Sequence, residues 1–201
     1  MALEHEEDLS RGVRRTRQAL KTAFVDLILE KGYETVTIMD IAGRADYNRG
    51  TFYKHFVSKE DLLLDIHDDF LRNISELLLQ PYEGMEQISA AGIYPSLLQL
   101  FQHIEQHKRD FLALSSAQRG KTSVELYDTL RRSMREDMHI EMEGSSSPLD
   151  YEILLSYQLS ATVGVIDYWA ESNFKYSAEY MAGQLMVLVN SRMDHIVFTR
   201  N

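Results

Sequence analysis

Hydrophobic residues recur every three or four positions along most of the chain, which is the period of an amphipathic α-helix. The first such stripe ends before Gly32, a residue type that commonly stops a helix. No segment alternates with the period of two that is typical of a β-strand, and the sequence holds no Asn-Gly hairpin signal. The pattern therefore predicts an all-α protein of about nine helices. The stripe of the first helix consists of Leu20, Ala23, Phe24, Leu27 and Ile28.

Two short helices joined by a turn are predicted soon after Gly32. Thr37, with Asp40 three residues later, has the pattern of a capping box that begins a helix. Turn-prone residues follow, and Asn48 is a candidate N-cap for a second helix over residues 49–55. Two short helices at this spacing predict a helix-turn-helix.

The second helix carries the side chains that a DNA-reading helix needs. Arg49 lies at its amino end, where it could give two hydrogen bonds to a guanine, and Gly50 permits a close backbone approach. The polar groups of Thr51, Tyr53 and His55 can donate to phosphate oxygens, and the amino ends of neighbouring helices attract phosphate as well. The residues predicted to contact DNA are Arg14, Arg15, Arg17, Thr37, Asn48, Arg49, Gly50, Thr51, Tyr53, Lys54, His55 and Lys59.

The charge distribution changes how the net charge of −10 is interpreted. Residues 1–10 carry four acidic residues and no Lys or Arg, and they are predicted as a disordered tail. Residues 11–59 carry ten Lys and Arg against five Asp and Glu, whereas residues 60–201 carry eleven against twenty-two. A basic segment joined to an acidic body is typical of a localised DNA-binding face, although charge also scatters unevenly by chance.

Four arginines lie near the start of the predicted first helix, at Arg11, Arg14, Arg15 and Arg17. They could reach phosphates or a minor groove, as basic arms do. The alternative is a charged helix start that only faces solvent.

The window from Thr37 to Leu62 resembles the DNA-binding region of the TetR family of bacterial one-component transcription regulators, and the clear resemblance covers roughly residues 14–64. One departure lies in the turn, where the family usually has Gly-Val and this chain has Asp46-Tyr47. The matching positions are Thr37, Ile41, Ala42, Ala45, Gly50, Thr51, Tyr53, His55, Phe56, Ser58, Lys59, Glu60 and Leu62.

This resemblance implies a three-helix helix-turn-helix domain over residues 11–58 and a helical regulatory and dimerisation domain over residues 59–201. It implies a homodimer on a palindromic operator, with half-sites about 34–36 Å apart or a multiple of that distance. It also implies a repressor that a small ligand releases. The alternative is a helical interaction protein, or an activator, whose C-terminal domain responds to a protein partner.

Periodicity predicts the helices of this second domain. A long helix would run from Lys59 to about Gln80, where Pro81 follows. Further helices are predicted over residues 94–107, around 111–114, from 124 to about 144, over 151–172 and from 178 to about 196, with a linker at 145–148.

The same domain is rich in aromatic residues and methionine, which line apolar cavities between helices but more commonly fill ordinary cores. An apolar or aromatic ligand would suit its acidic composition better than a polyanion. The candidate pocket residues are Phe101, Phe111, Tyr127, Met134, Met138, Tyr157, Tyr168 and Trp169.

By the resemblance, the last two helices would pair with their copies as a four-helix dimer interface. The alternative is that they close the core of one subunit. Residues 163–181 also resemble the C-terminal domain of regulators of dihydroxyacetone kinase genes. The candidate interface residues are Leu159, Val163, Ile166, Leu185, Leu188 and Val189.

Several kinds of chemistry are not supported by the sequence. It contains no cysteine, no run of about 18 apolar residues and no secretory signal, so we expect a cytoplasmic protein without disulfides. His103 and His107 lie four apart around Glu105, and His139 could join them, but the HExxH order is absent. Without a P-loop, a GxGxxG motif or a nucleophile elbow, we expect neither an enzyme nor a bound cofactor or metal.

Overall fold

The computed structural model describes residues 2–72, 74–85, 90–118, 120–136 and 150–190. These residues form α-helices joined by turns and short 3-10 segments, with no strand among them, which confirms the predicted all-α class. No described helix is both long enough and apolar enough to cross a membrane. The helices are α1 (Ala2–Lys31), α2 (Ile38–Arg44), α3 (Arg49–Tyr53), α4 (Lys59–Leu71), α5 (Ile74–Leu79), α6 (Tyr94–Gln106), α7 (Lys108–Gln118), α8 (Lys121–Glu136), α9 (Tyr151–Glu171) and α10 (Ala178–Asn190).

The prediction of one long helix from Lys59 to about Gln80 was wrong, because the chain leaves the helical conformation near Arg72. That residue has φ −60° and ψ 137°, an extended conformation that ends α4, and α5 begins at Ile74. The apolar stripe continues in phase across the break, so hydrophobic periodicity alone could not reveal it. The predicted ends of the helices near residues 144 and 196, and the predicted linker at 145–148, lie outside the described residues.

The first of two compact units comprises residues 1–72 and 107–126. Its core collects side chains from α1 to α4 that are fully buried, and α7 packs against both α1 and α4. Phe111 of α7 lies with its ring centroid 5.6 Å from that of Phe70 in α4. This unit therefore contains more of the chain than the predicted helix-turn-helix domain. The fully buried residues contributed by α1 to α4 include Leu20, Phe24, Ile41, Phe52 and Leu62.

A buried histidine also lies beside a carboxylate within this unit. His67 of α4 is only 4% exposed, and its Nε2 faces the carboxylate of Glu125 in α8. The second oxygen of Glu125 lies 3.1 Å from the ammonium group of Lys121. This arrangement ties α4 to the beginning of α8.

The second unit comprises residues 73–106 and 127–201. In it, α6 packs against α5 and α10. Trp169 of α9 is fully buried, and its ring lies edge-on to Phe101, with the ring centroids 5.5 Å apart. The indole Nε1–H donates to the carbonyl of Tyr176 at 2.9 Å. The indole thus joins the end of α9 to the turn before α10.

We predict that Phe111→Ala destabilises the first unit by about 3–5 kcal/mol, because the substitution opens a cavity beside Phe70. The free energy of unfolding in urea, followed by circular dichroism, would measure the effect. Val124→Ala is the control, since Val124 is 59% exposed and its truncation should change stability by less than about 0.5 kcal/mol. A Phe111→Ala effect as small as the control would contradict the packing of α7 in this core.

Candidate nucleic-acid interface

The predicted capping box at the start of α2 is confirmed. The Thr37 side chain accepts a hydrogen bond from the backbone N–H of Asp40, and the Asp40 carboxylate accepts one from the backbone N–H of Thr37 at 2.8 Å. The Thr37 hydroxyl and the ammonium group of Lys31 also bind this carboxylate and hold the pKa of Asp40 well below its ordinary value. The first turn of α2 is thereby fixed to the end of α1.

The turn between α2 and α3 has the geometry of a Schellman motif. The backbone N–H of Tyr47 donates to the carbonyl of Ala42 at 2.8 Å, and that of Asp46 donates to the carbonyl of Gly43 at 3.2 Å. Asp46 has φ 60°, in the left-handed region that favours glycine and that Asp tolerates better than most residues. Asp46 therefore takes the conformation that a glycine would take, and the turn between α2 and α3 keeps its length.

The predicted cap of α3 is also confirmed. The side-chain oxygen of Asn48 accepts hydrogen bonds from the backbone N–H of Thr51 at 2.8 Å and from its hydroxyl at 3.2 Å. A Cβ atom at Gly50 would lie 3.2 Å from this oxygen, closer than most Cβ contacts. Glycine at this position therefore protects the cap as well as permitting a close approach.

Arg49 projects from the amino end of α3 and is exposed. Its Nη2 donates to the hydroxyl of Tyr53 at 3.1 Å, and its guanidinium carbon lies 5.3 Å from the centroid of that ring. Tyr53 is 45% exposed and lies one turn further along the helix. The two side chains form a pair on one face of α3, with hydrogen-bonding groups directed to solvent.

Two of the predicted phosphate-binding cations are bound by other groups of the protein. Arg17 binds the carbonyl of His55 and the carboxylate of Asp65. The ammonium group of Lys59 donates to the carbonyls of Tyr33 and Val36 at 3.1 and 3.2 Å and lies over the Tyr33 ring. Both cations therefore connect helices and turns, a role that the sequence did not indicate.

The remaining predicted contacts differ in their exposure. Arg14, Arg15 and Lys54 are exposed, whereas His55 is half-buried. Burial, with Arg17 and Lys54 nearby, lowers the pKa of His55, so its imidazole is largely neutral at pH 7. A neutral imidazole can still donate one hydrogen bond but adds no charge.

Two exposed apolar side chains beside these helices were missed from the sequence. Met39 on α2 is 71% exposed, and Val57, just before α4, is 83% exposed. Apolar groups of this kind can contact the methyl group of thymine. Met39 could have been found from the pattern, since it lies off the apolar stripe of α2.

Two family models match the chain. Residues 22–66 match the model of the bacterial regulatory proteins of the tetR family. Residues 92–191 match the model of a transcriptional regulator C-terminal region. The chain belongs to the TetR family. This is a family of regulatory proteins rather than enzymes.

The curated relatives of this TetR-family chain are similar to it over a short stretch. The HTH-type transcriptional regulator YxbF of Bacillus subtilis (strain 168) is 46% identical over 61 residues, which cover 30% of this chain and 16% of YxbF. The chain thus spans about a sixth of that relative.

Two solved structures are similar along nearly the whole length. The fatty acid degradation regulator FadR from Bacillus halodurans superposes with a TM-score of 0.66 at 15% identity, covering 90% of this chain and 97% of FadR. The dihydroxyacetone kinase operon activator DhaS superposes with a TM-score of 0.55 at 19% identity, covering 87% and 93%. At identities of 15% and 19%, the similarity of these structures shows the fold alone.

The residues predicted to line a ligand pocket lie in different places. Phe101 and Trp169 fill the core of the second unit, and Phe111 fills that of the first. Tyr157 and Tyr168 of α9 are 69% and 58% exposed. Met138 lies outside the described residues. Within the second unit, Phe101 and Trp169 therefore contact each other in the core, whereas Tyr157 and Tyr168 lie at the surface. Contact of the predicted residues with a ligand stays a prediction.

An open groove of about 480 Å³ lies between α8 and α9 of the second unit. The carboxylate of Glu152 binds Arg131 at 2.9 Å and Arg135 at 2.8 Å there. The hydroxyls of Tyr127 and Ser156 lie 3.2 Å apart, and Met134 is half-buried. The groove is lined by Arg131, Glu152, Ile153, Ser156, Tyr157 and Ser160, which include one predicted pocket residue.

The residues predicted for the dimer interface divide into two groups. Leu188 and Val189 of α10 are 60% and 37% exposed. The other four residues are buried inside one subunit, so they offer little surface to a second copy. They are Leu159, Val163, Ile166 and Leu185.

The histidines considered for a metal site do not form one in the part of the chain that the structure describes. No group of three or more His, Asp or Glu side chains could hold a metal ion among those residues. His107 pairs with Asp110 at 3.4 Å, and His139 lies outside the described residues.

We predict that Asp46→Gly stabilises the protein by about 0.5–1 kcal/mol, because glycine adopts a positive φ without the steric strain of a side chain. Asp46→Ala should instead destabilise it by about 1 kcal/mol, since alanine tolerates this conformation poorly. Urea unfolding of the three proteins would measure both effects. A loss of stability in Asp46→Gly would show that the carboxylate contributes more than the strain.

Proposed function

We propose that this chain is a sequence-specific DNA-binding transcription regulator that places α3 in the major groove. The observation that carries the proposal is the exposed Arg49, held by Tyr53 at the amino end of a capped α3. A guanidinium group in that position can bind guanine through two hydrogen bonds. The preformed contact with Tyr53 restricts the arginine before DNA arrives.

Phosphate contacts would come from groups around this pair. The hydroxyl of Tyr53 accepts from Arg49 and keeps its own proton for a phosphate oxygen. The cap uses the oxygen of the Asn48 amide, so its NH2 group can donate to DNA. Lys54, Arg14 and Arg15 are exposed cations that could neutralise phosphates.

We further propose a homodimer that binds a palindromic operator, with half-sites about 34–36 Å apart or a multiple of that distance. The support is an exposed stripe on α9 that repeats every three or four residues and combines apolar with small side chains. The small residues would let two helices approach closely. The stripe consists of Ile153, Tyr157, Ser160, Gly164 and Tyr168.

For the regulatory mechanism, we propose that the protein is a repressor and that an apolar or aromatic small ligand releases it from DNA. The FadR likeness, and the many aromatic residues of the second unit, support an apolar effector. Such a ligand shifts DNA binding only by its differential affinity for the two states of the dimer.

The second candidate is an activator whose C-terminal part responds to a protein partner. It is favoured by the likeness to DhaS, an activator by name, and by the exposed apolar side chains of α9. Reporter expression with and without the gene separates the two signs of regulation, since loss of a repressor raises expression and loss of an activator lowers it.

The test of DNA binding uses the purified protein, its own upstream DNA and a scrambled duplex at several salt concentrations. We expect binding that prefers the upstream DNA and weakens steeply with salt. If both duplexes bind weakly and equally, selection from genomic fragments searches for an operator elsewhere. Failure of that selection would overturn the proposal.

We predict that Arg49→Ala weakens operator binding by about 1–3 kcal/mol and relaxes specificity at one base pair. Lys54→Ala is the control, and it should weaken binding to every sequence equally while lowering the salt slope by about one. Binding to a set of single-base operator variants would distinguish the two. An equal loss on every duplex for Arg49→Ala would refute base reading.

Tyr53→Phe forms a second arm of this measurement. The substitution removes a phosphate donor, which weakens binding on all duplexes, and it also removes the acceptor that holds Arg49, so the loss should be larger on duplexes with the base pair that Arg49 reads. An equal loss on every duplex would show that the hydroxyl does not act through Arg49.

We predict that Gly164→Leu weakens dimerisation without unfolding the subunit. A Cβ at Gly164 meets no atom within 4 Å in one subunit, whereas it would separate two copies of α9. Sedimentation equilibrium should show more monomer at a given concentration. Gly12→Leu is the matched control, because Gly12 lies in another helix with equally open space. An unchanged dimer in Gly164→Leu would contradict this interface.

A further inference from the structure

Arg17 contacts three different groups beside the DNA-reading helix. Its Nη1 donates to the carbonyl of His55 at 3.0 Å, and its Nη2 lies 2.7 Å from Oδ2 of Asp65. Its guanidinium carbon lies 4.3 Å from the centroid of the Phe56 ring. One side chain of α1 therefore touches the residues that follow α3 and the middle of α4.

The contact with His55 falls where α3 needs support. The helix has five residues, far fewer than an isolated helix needs to be stable in water. The last carbonyls of a helix lack intrahelical partners, and a cation near them is favourable. Asn48 caps the amino end of α3, and Arg17 binds just beyond the carboxyl end.

A neighbouring pair offers a direct comparison. Lys21, one turn further along α1, lies 2.5 Å from the same oxygen of Asp65 and also binds Asp69. Burial raises the pKa of Asp65, but Lys21 and Arg17 outweigh it and hold that pKa below its ordinary value. Lys21 thus joins α1 to α4 without touching the α3 segment, whereas Arg17 joins all three.

We infer that Arg17 is a positioning residue that fixes the orientation of α3 for base reading and does not bind phosphate. The inference rests on the proposed DNA-binding function and revises the assignment of Arg17 drawn from its sequence position. To reach phosphate, the guanidinium group would have to give up the carbonyl of His55, the carboxylate of Asp65 and the face of Phe56.

The two roles have different signatures in DNA binding. A phosphate contact contributes equally on every sequence, and its removal lowers the salt slope by about one. A positioning residue keeps base contacts aligned, so its removal lowers specific binding and leaves non-specific binding nearly unchanged. The ratio of operator affinity to scrambled-duplex affinity therefore separates the roles.

The experiment compares Arg17→Gln with Lys21→Met and Arg15→Gln in the full chain, on operator and on scrambled duplex. We expect Arg17→Gln to lower operator affinity about tenfold or more, the size of a lost charged hydrogen bond, with an unchanged salt slope. Lys21→Met should lower thermal stability and keep the affinity ratio. Arg15→Gln should weaken binding on both duplexes and reduce the slope.

If Arg17→Gln does not fold, Arg17→Lys serves in its place. A lysine can keep the charge beside Asp65, but it cannot hold two acceptors in the fixed geometry of a guanidinium group. The affinity ratio should therefore still fall. Equal loss on both duplexes together with a smaller salt slope, or an unchanged affinity ratio, would overturn the inference.

A measurement without DNA separates this inference from the proposed function. Arg17 is one of the groups that lower the pKa of His55, so NMR titration should show a higher pKa for His55 in Arg17→Gln and no change in Lys21→Met. Wild-type protein that selects no sequence would refute the proposed function, whatever the titration shows. An unchanged His55 titration in Arg17→Gln would refute the placement of Arg17 itself.

Discussion

A five-residue helix cannot hold its own shape in water, and this constraint governs the candidate interface. The shape of α3 comes from its surroundings: Asn48 at one end, Arg17 at the other, and the buried rings of Phe52 and Phe56 beneath. The turn before it is fixed by backbone hydrogen bonds, including the one that Asp46 donates from a left-handed conformation. The conformation of α3, and with it the surface proposed to read bases, therefore depends on the packing of the whole first unit.

The cations of the basic segment serve two different purposes. Arg17, Lys21 and Lys59 are bound to carboxylates or carbonyls inside the first unit, and Arg44 forms two hydrogen bonds of 2.8 and 2.7 Å with Glu30. Counting basic residues in the sequence thus overstates the charge available to a phosphate backbone. The cations that remain exposed include Arg14, Arg15, Arg49 and Lys54.

Local signals were read correctly from the sequence because they depend on residues close in the chain. The caps at Thr37 and Asn48 join groups three residues apart, so their residue types were enough to place them. The break at Arg72 was missed because the apolar stripe stays in phase across it. The same limit applies to α7, whose packing on α1 and α4 joins parts of the chain that are distant in sequence.

Periodicity was least informative for α9, which is apolar on more than one side. The sequence could not tell which side faces its own subunit, and Leu159, Val163 and Ile166 lie inside, whereas Ile153 and Tyr157 lie outside. The sequence shows that Arg17 is a cation, but it does not show what this cation binds. Its partners His55 and Asp65 are almost 40 and 50 residues away in the chain. Contacts at that separation follow from tertiary packing alone.

The chain contains a single tryptophan, so tryptophan fluorescence reports on only one of the two units. Trp169 is fully buried in the second unit and donates its indole hydrogen to a backbone carbonyl. Its fluorescence therefore responds to order around α9, while the first unit contributes no indole signal. Helix content follows both units, so a difference between fluorescence and circular dichroism during denaturation would reveal that the two units lose their structure separately.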